Sequence, residues 1–252
     1  MAMIGDLSLE ALLITGDISE GDDVVFELNR LADAFGGDIF FVLGNHDFYG
    51  DGVANVRREV VSVARQSATL TYLTDAGPVP LSPETWLVGE DGWGDGTVGD
   101  AVGTLVRLHD FAQIDDFKGL STESRNRILK AQGGESADRL RQKLFSLPRD
   151  AGEVVVATHV PPFREACWYQ GRTADDQWAP YFVCGQVGEV LKAFTCDRPD
   201  TKVTVLCGHT HHAGTATLRE NLVVHTGAAR YEHPEIVGIL NAAESPLVLL
   251  SE

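Results

Sequence analysis

The chain has 252 residues, of which 20 are basic and 37 are acidic, and its formal net charge is −17. A surface this acidic repels nucleic acids and anionic membranes. No window approaches the run of about eighteen apolar residues that a membrane span needs. The N-terminus also lacks the basic segment and apolar core of a secretion signal. The composition therefore predicts a soluble protein that binds neither nucleic acid nor a membrane.

The cysteines indicate the compartment. They form no C-x-x-C pair and are too sparse for a disulfide framework. We therefore expect reduced thiols, as in cytoplasmic proteins. The four residues are Cys167, Cys184, Cys196 and Cys207.

Two apolar runs in the first fifty residues predict buried, parallel strands. Residues 11–14 lead into Gly16-Asp17, and residues 39–43 lead into Gly-Asn-His-Asp at 44–47. Between them, residues 22–35 carry an apolar face with helical spacing and end at a pair of glycines. Strand, helix and strand with short links are typical of a crossover unit in a parallel sheet.

Similar patterns predict the later elements and, because no linker divides the chain, a single domain spanning residues 1–252. Residues 90–103 read as a long surface loop or lid, since glycines and acids dominate them. The predicted helices are 54–66, 136–147 and 185–194. The predicted strands are 70–73, 86–89, 154–157, 203–206, 214–218, 222–226, 237–240 and 247–250.

Residues able to bind a metal follow four of the apolar strands. In open α/β sheets, sites form in the crevice outside the carboxyl ends of the strands. We therefore expect these distant side chains to converge, with Gly44 and Gly208 allowing the chain to turn sharply beside them. The residues are Asp17, the segment 45–47, His159, and the pair His209 and His211.

These segments resemble the calcineurin-like metallophosphoesterase family in their order and spacing, from about residue 11 to about residue 226. Gly-Asn-His-Asp together with Gly-His-x-His forms a specific signature. The resemblance implies an α/β fold in which a two-sheet sandwich is flanked by helices. It also implies hydrolysis of phosphate esters, either monoesters or diesters, by a metal-bound hydroxide.

The resemblance assigns a role to each matching residue. Asp17 is the carboxylate that bridges two metal ions, and His211 binds the second of them. His46 faces the leaving-group oxygen as a proton donor or charge stabiliser, and Asp47 orients it. The remaining ligands of the first metal are Asn45, His159 and His209.

The ligand types suit Mn, Fe, Zn or Co and do not choose among them. A complete family member holds two such ions. Manganese is the ion that we would supply first to test for phosphodiesterase or phosphatase activity.

The chain departs from the family at its first motif, an Asp-x-His at the end of an opening strand. The nearest match is Asp6-Leu7-Ser8, which has serine in place of the histidine. Only three residues separate Ser8 from the strand near Leu12, whereas parallel neighbours need a crossover of about a dozen residues. We therefore predict that residues 3–10 end a crossover helix and that the first strand is missing.

This departure predicts an incomplete second metal position, which keeps only Asp17 and His211. One ion instead of two, reduced activity and self-association through the exposed sheet edge are the expected consequences.

The substrate and one rival function stay open. A small phosphate ester, nucleotide-like rather than DNA, is favoured because no basic groove accompanies the motifs. A protein phosphatase is a further alternative. The rival is a catalytically impaired binding or scaffold protein on the same fold, which the missing ligands favour and the retained His46-Asp47 pair opposes.

Overall fold

The computed structural model describes residues 9–231, 233–242 and 249–250. Within them, no helix combines the length and the apolar character needed to cross a bilayer. The helices are α1 (Val24–Phe35), α2 (Val53–Gln66), α3 (Asp110–Gln113), α4 (Thr122–Ser146), α5 (Ala179–Phe182) and α6 (Gly185–Asp197). The strands are β1 (Ala11–Thr15), β2 (Asp38–Val42), β3 (Leu70–Tyr72), β4 (Val79–Pro80), β5 (Thr85–Glu90), β6 (Glu153–Thr158), β7 (Trp168–Tyr169), β8 (Arg172–Thr173), β9 (Lys202–Cys207), β10 (Gly214–Arg219), β11 (Leu222–Thr226), β12 (Ile239–Leu240) and β13 (Leu249–Leu250).

Two sheets form the centre of the molecule. The first has the order β1-β2-β3, with all strands parallel. The second has the order β10-β11-β9-β6-β5-β4, parallel from β11 to β5 and antiparallel at both edges. Within the described residues β1 pairs only with β2, so it forms an edge of the first sheet.

The two sheets lie face to face with helices on both outer sides. Side chains of β6 alternate: Val155 and Ala157 face the first sheet, whereas Val154 and Val156 face α4 and α6. On the opposite side, α1 and α2 cover the first sheet. Leu28 of α1, for example, is buried in the hydrophobic cluster between these helices and the sheet. The α/β fold with a two-sheet sandwich between helices is therefore confirmed. The carboxyl ends of β1, β2, β6 and β9 lead into the predicted site residues.

The helix predicted over residues 136–147 is much longer in the structure. In the structure this helix is α4, which begins at Thr122. The side chain of Ser121, just before it, accepts a hydrogen bond from the backbone N–H of Ser124 at 3.2 Å. Glycines at 133 and 134 obscured the first half, because glycine weakens a helical pattern. A Cβ on Gly133 would lie 2.4 Å from the Cβ of Asp95, so this glycine serves close packing.

The prediction of a surface loop or lid over residues 90–103 is wrong for the first half of that range. Residues 91–95 are buried. The glycines there allow backbones to touch: a Cβ on Gly94 would lie 2.1 Å from the carbonyl oxygen of Tyr181. The backbone N–H of Gly96 donates to the carbonyl of Pro180 at 2.9 Å. Glycine here reflects tight packing rather than a loop that swings over the site.

Predictions at the two ends fall partly outside the described residues. Of residues 3–10, the structure describes only the last two, so the predicted helix tail and the Asp6-Leu7-Ser8 segment lie outside it. Of the strand predicted over 237–240, the structure has Ile239–Leu240, and of 247–250 it has Leu249–Leu250.

Candidate metal centre

Two glycines let the ends of β1, β2 and β6 meet. A Cβ on Gly44 would lie 2.1 Å from Asp17 Oδ1 and 2.7 Å from the Cε1 atom of His159. A Cβ on Gly16 would lie 2.6 Å from the Nδ1 atom of His159. The expected role of Gly208 was wrong, because it does not have a positive φ and a Cβ there would lie 3.5 Å from its nearest neighbour, Thr15 Oγ1.

Three site residues adopt the left-handed backbone conformation themselves. The φ angles of Asp17, His209 and His211 are 53°, 68° and 60°. Such conformations cost about 1–3 kcal/mol each for residues other than glycine, and they cluster at functional sites. The fold therefore holds these side chains in place at a cost in stability.

In four of the predicted ligands, the atoms that would bind the metal face one another. Asn45 Oδ1 lies 2.9 Å from His209 Nδ1 and 3.1 Å from His159 Nε2. The two ring nitrogens are 3.2 Å apart. Asp17 Oδ2 completes the group, 3.4 Å from His159 Nε2. The structure thus brings Asp17, Asn45, His159 and His209 together from four strand ends.

A backbone carbonyl lies beside the outer nitrogen of each ring and favours a proton on that nitrogen. The Nδ1–H of His159 donates to the carbonyl of Thr15 at 2.7 Å. The Nε2–H of His209 donates to the carbonyl of Tyr181 at 3.2 Å. Each ring therefore turns its unprotonated nitrogen toward the centre, which is the tautomer a metal needs.

With these tautomers, the centre holds several acceptor lone pairs that face each other. Burial and the neighbouring His159 together lower the pKa of His209 to about 3, so the ring stays neutral. Burial opposes the ionisation of Asp17, yet the imidazoles of His159, His46 and His209 lower the pKa of its carboxyl group. A carboxylate, an amide oxygen and two bare ring nitrogens repel one another unless a cation lies among them.

The spacing agrees with this reading. Ligands at about 2.0–2.1 Å from a tetrahedral ion are about 3.3–3.4 Å apart. The observed separations of 2.9–3.4 Å require an outward shift of only a few tenths of an ångström. In the described part of the chain, no three His, Cys, Asp or Glu side chains are already spaced for an ion.

His211 is not part of the four-residue group, whose contacts are the short separations given above. Its ring packs edge-on against Tyr231, with centroids 4.9 Å apart, and forms no hydrogen bond among the described residues. Burial lowers the pKa of His211, although Asp17 opposes this. Of the second position expected from Asp17 and His211, the structure describes these two residues, whereas Asp6 and Ser8 fall outside the described residues.

The partner of His46 differs from the one expected. Its Nδ1 atom lies 3.2 Å from the carboxylate of Glu20, not beside Asp47. The ring lies between Tyr49 and Tyr231, at centroid distances of 4.6 and 5.6 Å. Sequence reasoning missed Glu20, although its place three residues after Asp17 on the same loop was an available signal.

Asp47 is fully buried and braces the site loops. Its two oxygens accept the backbone N–H groups of Ser19 at 2.9 Å and Gly44 at 2.8 Å. Burial, with the charge of Asp17, raises its pKa well above the usual range. Asp47 thus joins the loop after β1 to the loop after β2 instead of orienting His46.

Two sheets between helices, with histidines and carboxylates gathered at the strand ends, define an α/β protein with a candidate metal centre. The chain matches the model of the calcineurin-like phosphoesterases over residues 3–213, and it belongs to this family. Phosphoester hydrolysis by divalent metal ions is the general class of activity that this membership supports.

A solved structure agrees on the fold. A dimetal phosphatase from Danio rerio superimposes with a TM-score of 0.55 at 17% identity, covering 90% of this chain and 74% of that one. The Plasmodium protein GAP50, described as the anchor in the inner membrane complex, gives a TM-score of 0.46 at 11% identity and covers 89% of this chain and 63% of that one. No curated protein sequence matches the chain.

Proposed function

We propose that the chain hydrolyses small phosphate esters at a centre where Asp17, Asn45, His159 and His209 hold one divalent ion. The observation that carries the proposal is that Asn45 Oδ1, His209 Nδ1 and His159 Nε2 lie 2.9–3.2 Å from one another, with Asp17 Oδ2 3.4 Å from His159 Nε2. Buried polar groups are normally paired with donors. A group of acceptors that face each other is stable only with a cation among them.

The donor set fits the borderline metals. Imidazole, carboxylate and amide oxygen together suit Mn, Fe, Zn or Co. An ion held there neutralises charge on a phosphate and lowers the pKa of water. Near neutral pH, the low pKa of His209 leaves its ring free to bind without first releasing a proton.

His46 is the proposed proton donor to the leaving-group oxygen. Glu20 accepts the Nδ1–H, which fixes the ring and leaves Nε2 to face the reacting groups. The hydroxyl of Tyr231 lies 3.5 Å from this Nε2 atom, so the position beside it is accessible to an oxygen. A binding scaffold would have no use for a carboxylate–imidazole pair at this place.

The second metal position is proposed to bind weakly or not at all. Asp17 and His211 supply two ligands there, whereas the first position has four. The Danio rerio neighbour is described as a dimetal phosphatase. One tightly held ion and reduced activity are therefore what we expect of this chain.

The proposed substrate is a small ester with a flat, nucleotide-like leaving group. The rings of Tyr49 and Tyr231 flank His46, where that group would lie. The net charge of −17 disfavours polyanions such as DNA.

The test is hydrolysis of bis(4-nitrophenyl) phosphate and 4-nitrophenyl phosphate with and without Mn²⁺, paired with calorimetric titration of Mn²⁺ alone. We expect Mn²⁺-dependent turnover in the wild type. His46→Asn should lose at least about 100-fold in kcat and bind Mn²⁺ unchanged. Tight Mn²⁺ binding with no turnover would instead support the scaffold alternative, and no binding would overturn the proposal.

A further inference from the structure

The amide of Asn45 has a second partner outside the four-residue group. Its Nδ2 atom donates to Asp110 Oδ1 at 2.9 Å, and the hydroxyl of Tyr49 donates to the same oxygen at 2.8 Å. Asp110 and Asn45 are only 7% and 9% exposed. No predicted motif contains Asp110, which comes 65 residues later in the chain at the start of α3.

An asparagine amide has two orientations of nearly the same shape. In one, its oxygen faces the centre and can bind a cation. In the other, two N–H donors face the centre and repel a cation. An ionised aspartate only accepts hydrogen bonds, so Asp110 can pair with the NH₂ group and not with the oxygen.

Tyr49 strengthens this selection. Burial and the neighbouring Asp110 raise its pKa, so the phenol keeps its proton and donates it to the carboxylate. With Tyr49 donating to it, Asp110 is held as an acceptor between two donors. A carboxylate that accepts an N–H from a ligand also makes that ligand more basic, as outer-shell groups do in metal sites.

The surroundings keep Asp110 in place. The segment after it is anchored by Ile114 and Phe117, which are fully buried beside Phe48 and Trp93. The ring of Phe111 packs edge-on against Tyr181, the residue whose carbonyl orients His209. This segment therefore supports two ligands of the centre from behind.

We infer that Asp110 is a positioning residue that holds the Asn45 amide with its oxygen toward the metal centre. The inference rests on the proposed function, since it concerns a ligand of that centre. It adds a part of the site that the family signature does not contain, because the residue lies in the segment between β5 and α4.

The test is the affinity for Mn²⁺ alone, measured by calorimetry and by the EPR signal of free Mn²⁺. In Asp110→Asn, the new amide can donate as well as accept, so the Asn45 amide can turn. We expect the Kd to rise about 10–100-fold, the usual effect of losing an outer-shell partner. The matched control is Asp116→Asn, whose amide oxygen can still accept the N–H of Val53, and it should bind within about twofold of the wild type.

A swapped pair keeps the test decisive if Asp110→Asn folds poorly. In Asn45→Asp with Asp110→Asn, the ligand is a carboxylate and its partner an amide that donates to it, so the hydrogen bond survives reversed. The double variant should bind Mn²⁺ more tightly than Asp110→Asn does.

Three outcomes are distinguishable. Weakened binding in Asp110→Asn with rescue in the swapped pair supports the inference. Equal Kd values in the wild type and Asp110→Asn, or no rescue in the swapped pair, overturn it alone. A wild type that binds no Mn²⁺ overturns the proposed function as well.

Discussion

The two metal positions expected around Asp17, one on each side of its carboxylate, differ in how completely the described residues build them. On one side, Asn45, His159 and His209 are packed together, and carbonyl groups set the tautomer of both rings. On the other side, the ring of His211 packs against the exposed ring of Tyr231 and forms no hydrogen bond among the described residues. The described residues therefore gather four candidate ligands on the first side and two, Asp17 and His211, on the second.

The difference shows what makes a metal position out of suitable residues. Both sides have histidine beyond a strand end, and both carry the strain of a positive φ. Only the first has a partner for the far side of each ligand: Thr15 for His159, Tyr181 for His209 and Asp110 for Asn45. Outer contacts, rather than ligand type, separate the two.

The largest expected effect comes from filling the space at Gly44. In Gly44→Ala, the new Cβ would lie 2.1 Å from Asp17 Oδ1, so the ends of β1 and β2 must separate. We expect at least about a 100-fold loss of Mn²⁺-dependent hydrolysis, since displacements near 1 Å have that effect. Overpacking should also lower the free energy of unfolding by about 1–3 kcal/mol.

Gly208→Ala is the control for this change. Its Cβ would lie 3.5 Å from the nearest atom, which is ordinary contact, and the φ angle is not positive. We expect activity close to the wild type. Equal losses in the two variants would show that the glycines matter for local flexibility and not for the approach of the strands.

The next effect separates the two metal positions directly. His209→Asn and His211→Asn form a matched pair, because asparagine tolerates the left-handed conformation that both residues adopt. Titration of Mn²⁺ should show an affinity at least about 100-fold lower in His209→Asn and a change below about threefold in His211→Asn. The reverse order would place the tight ion on the side of His211.

A smaller effect distinguishes the two carboxylates near His46. Glu20→Gln should lower kcat by about 10–100-fold at saturating Mn²⁺, because the ring loses its charged partner. Asp47→Asn should mainly destabilise the fold, by about 1–3 kcal/mol, since a buried amide cannot accept both backbone N–H groups. A large loss of kcat in Asp47→Asn alone would restore Asp47 as the orienting group.

The motifs were predictable because each lies at the end of an apolar run, and parallel strands bring their carboxyl ends to one edge. That rule was enough to bring together Asp17, Asn45, His159 and His209. It could not find Asp110, whose role arises only when a segment 65 residues away folds against Asn45. It also failed for the buried segment 91–95, because glycine marks close packing and flexible loops alike.

The smallest effect is a pH dependence that belongs to the packed side. The pKa of His209 is about 3 in the folded chain, against 6.5 for an ordinary histidine. Between these values the unfolded chain binds a proton that the folded chain does not, so the contribution of this ring to stability is complete above pH 6.5. It is lost as the pH falls toward 3, at no more than about 1.4 kcal/mol per pH unit. The test is urea unfolding of the wild type and His209→Asn, with metal removed by EDTA. As the pH is lowered from 6.5 to 4, the free energy of unfolding should fall more in the wild type than in the variant. Parallel pH profiles would mean that His209 is protonated in the folded chain, and the lone pairs would then need no cation to hold them together.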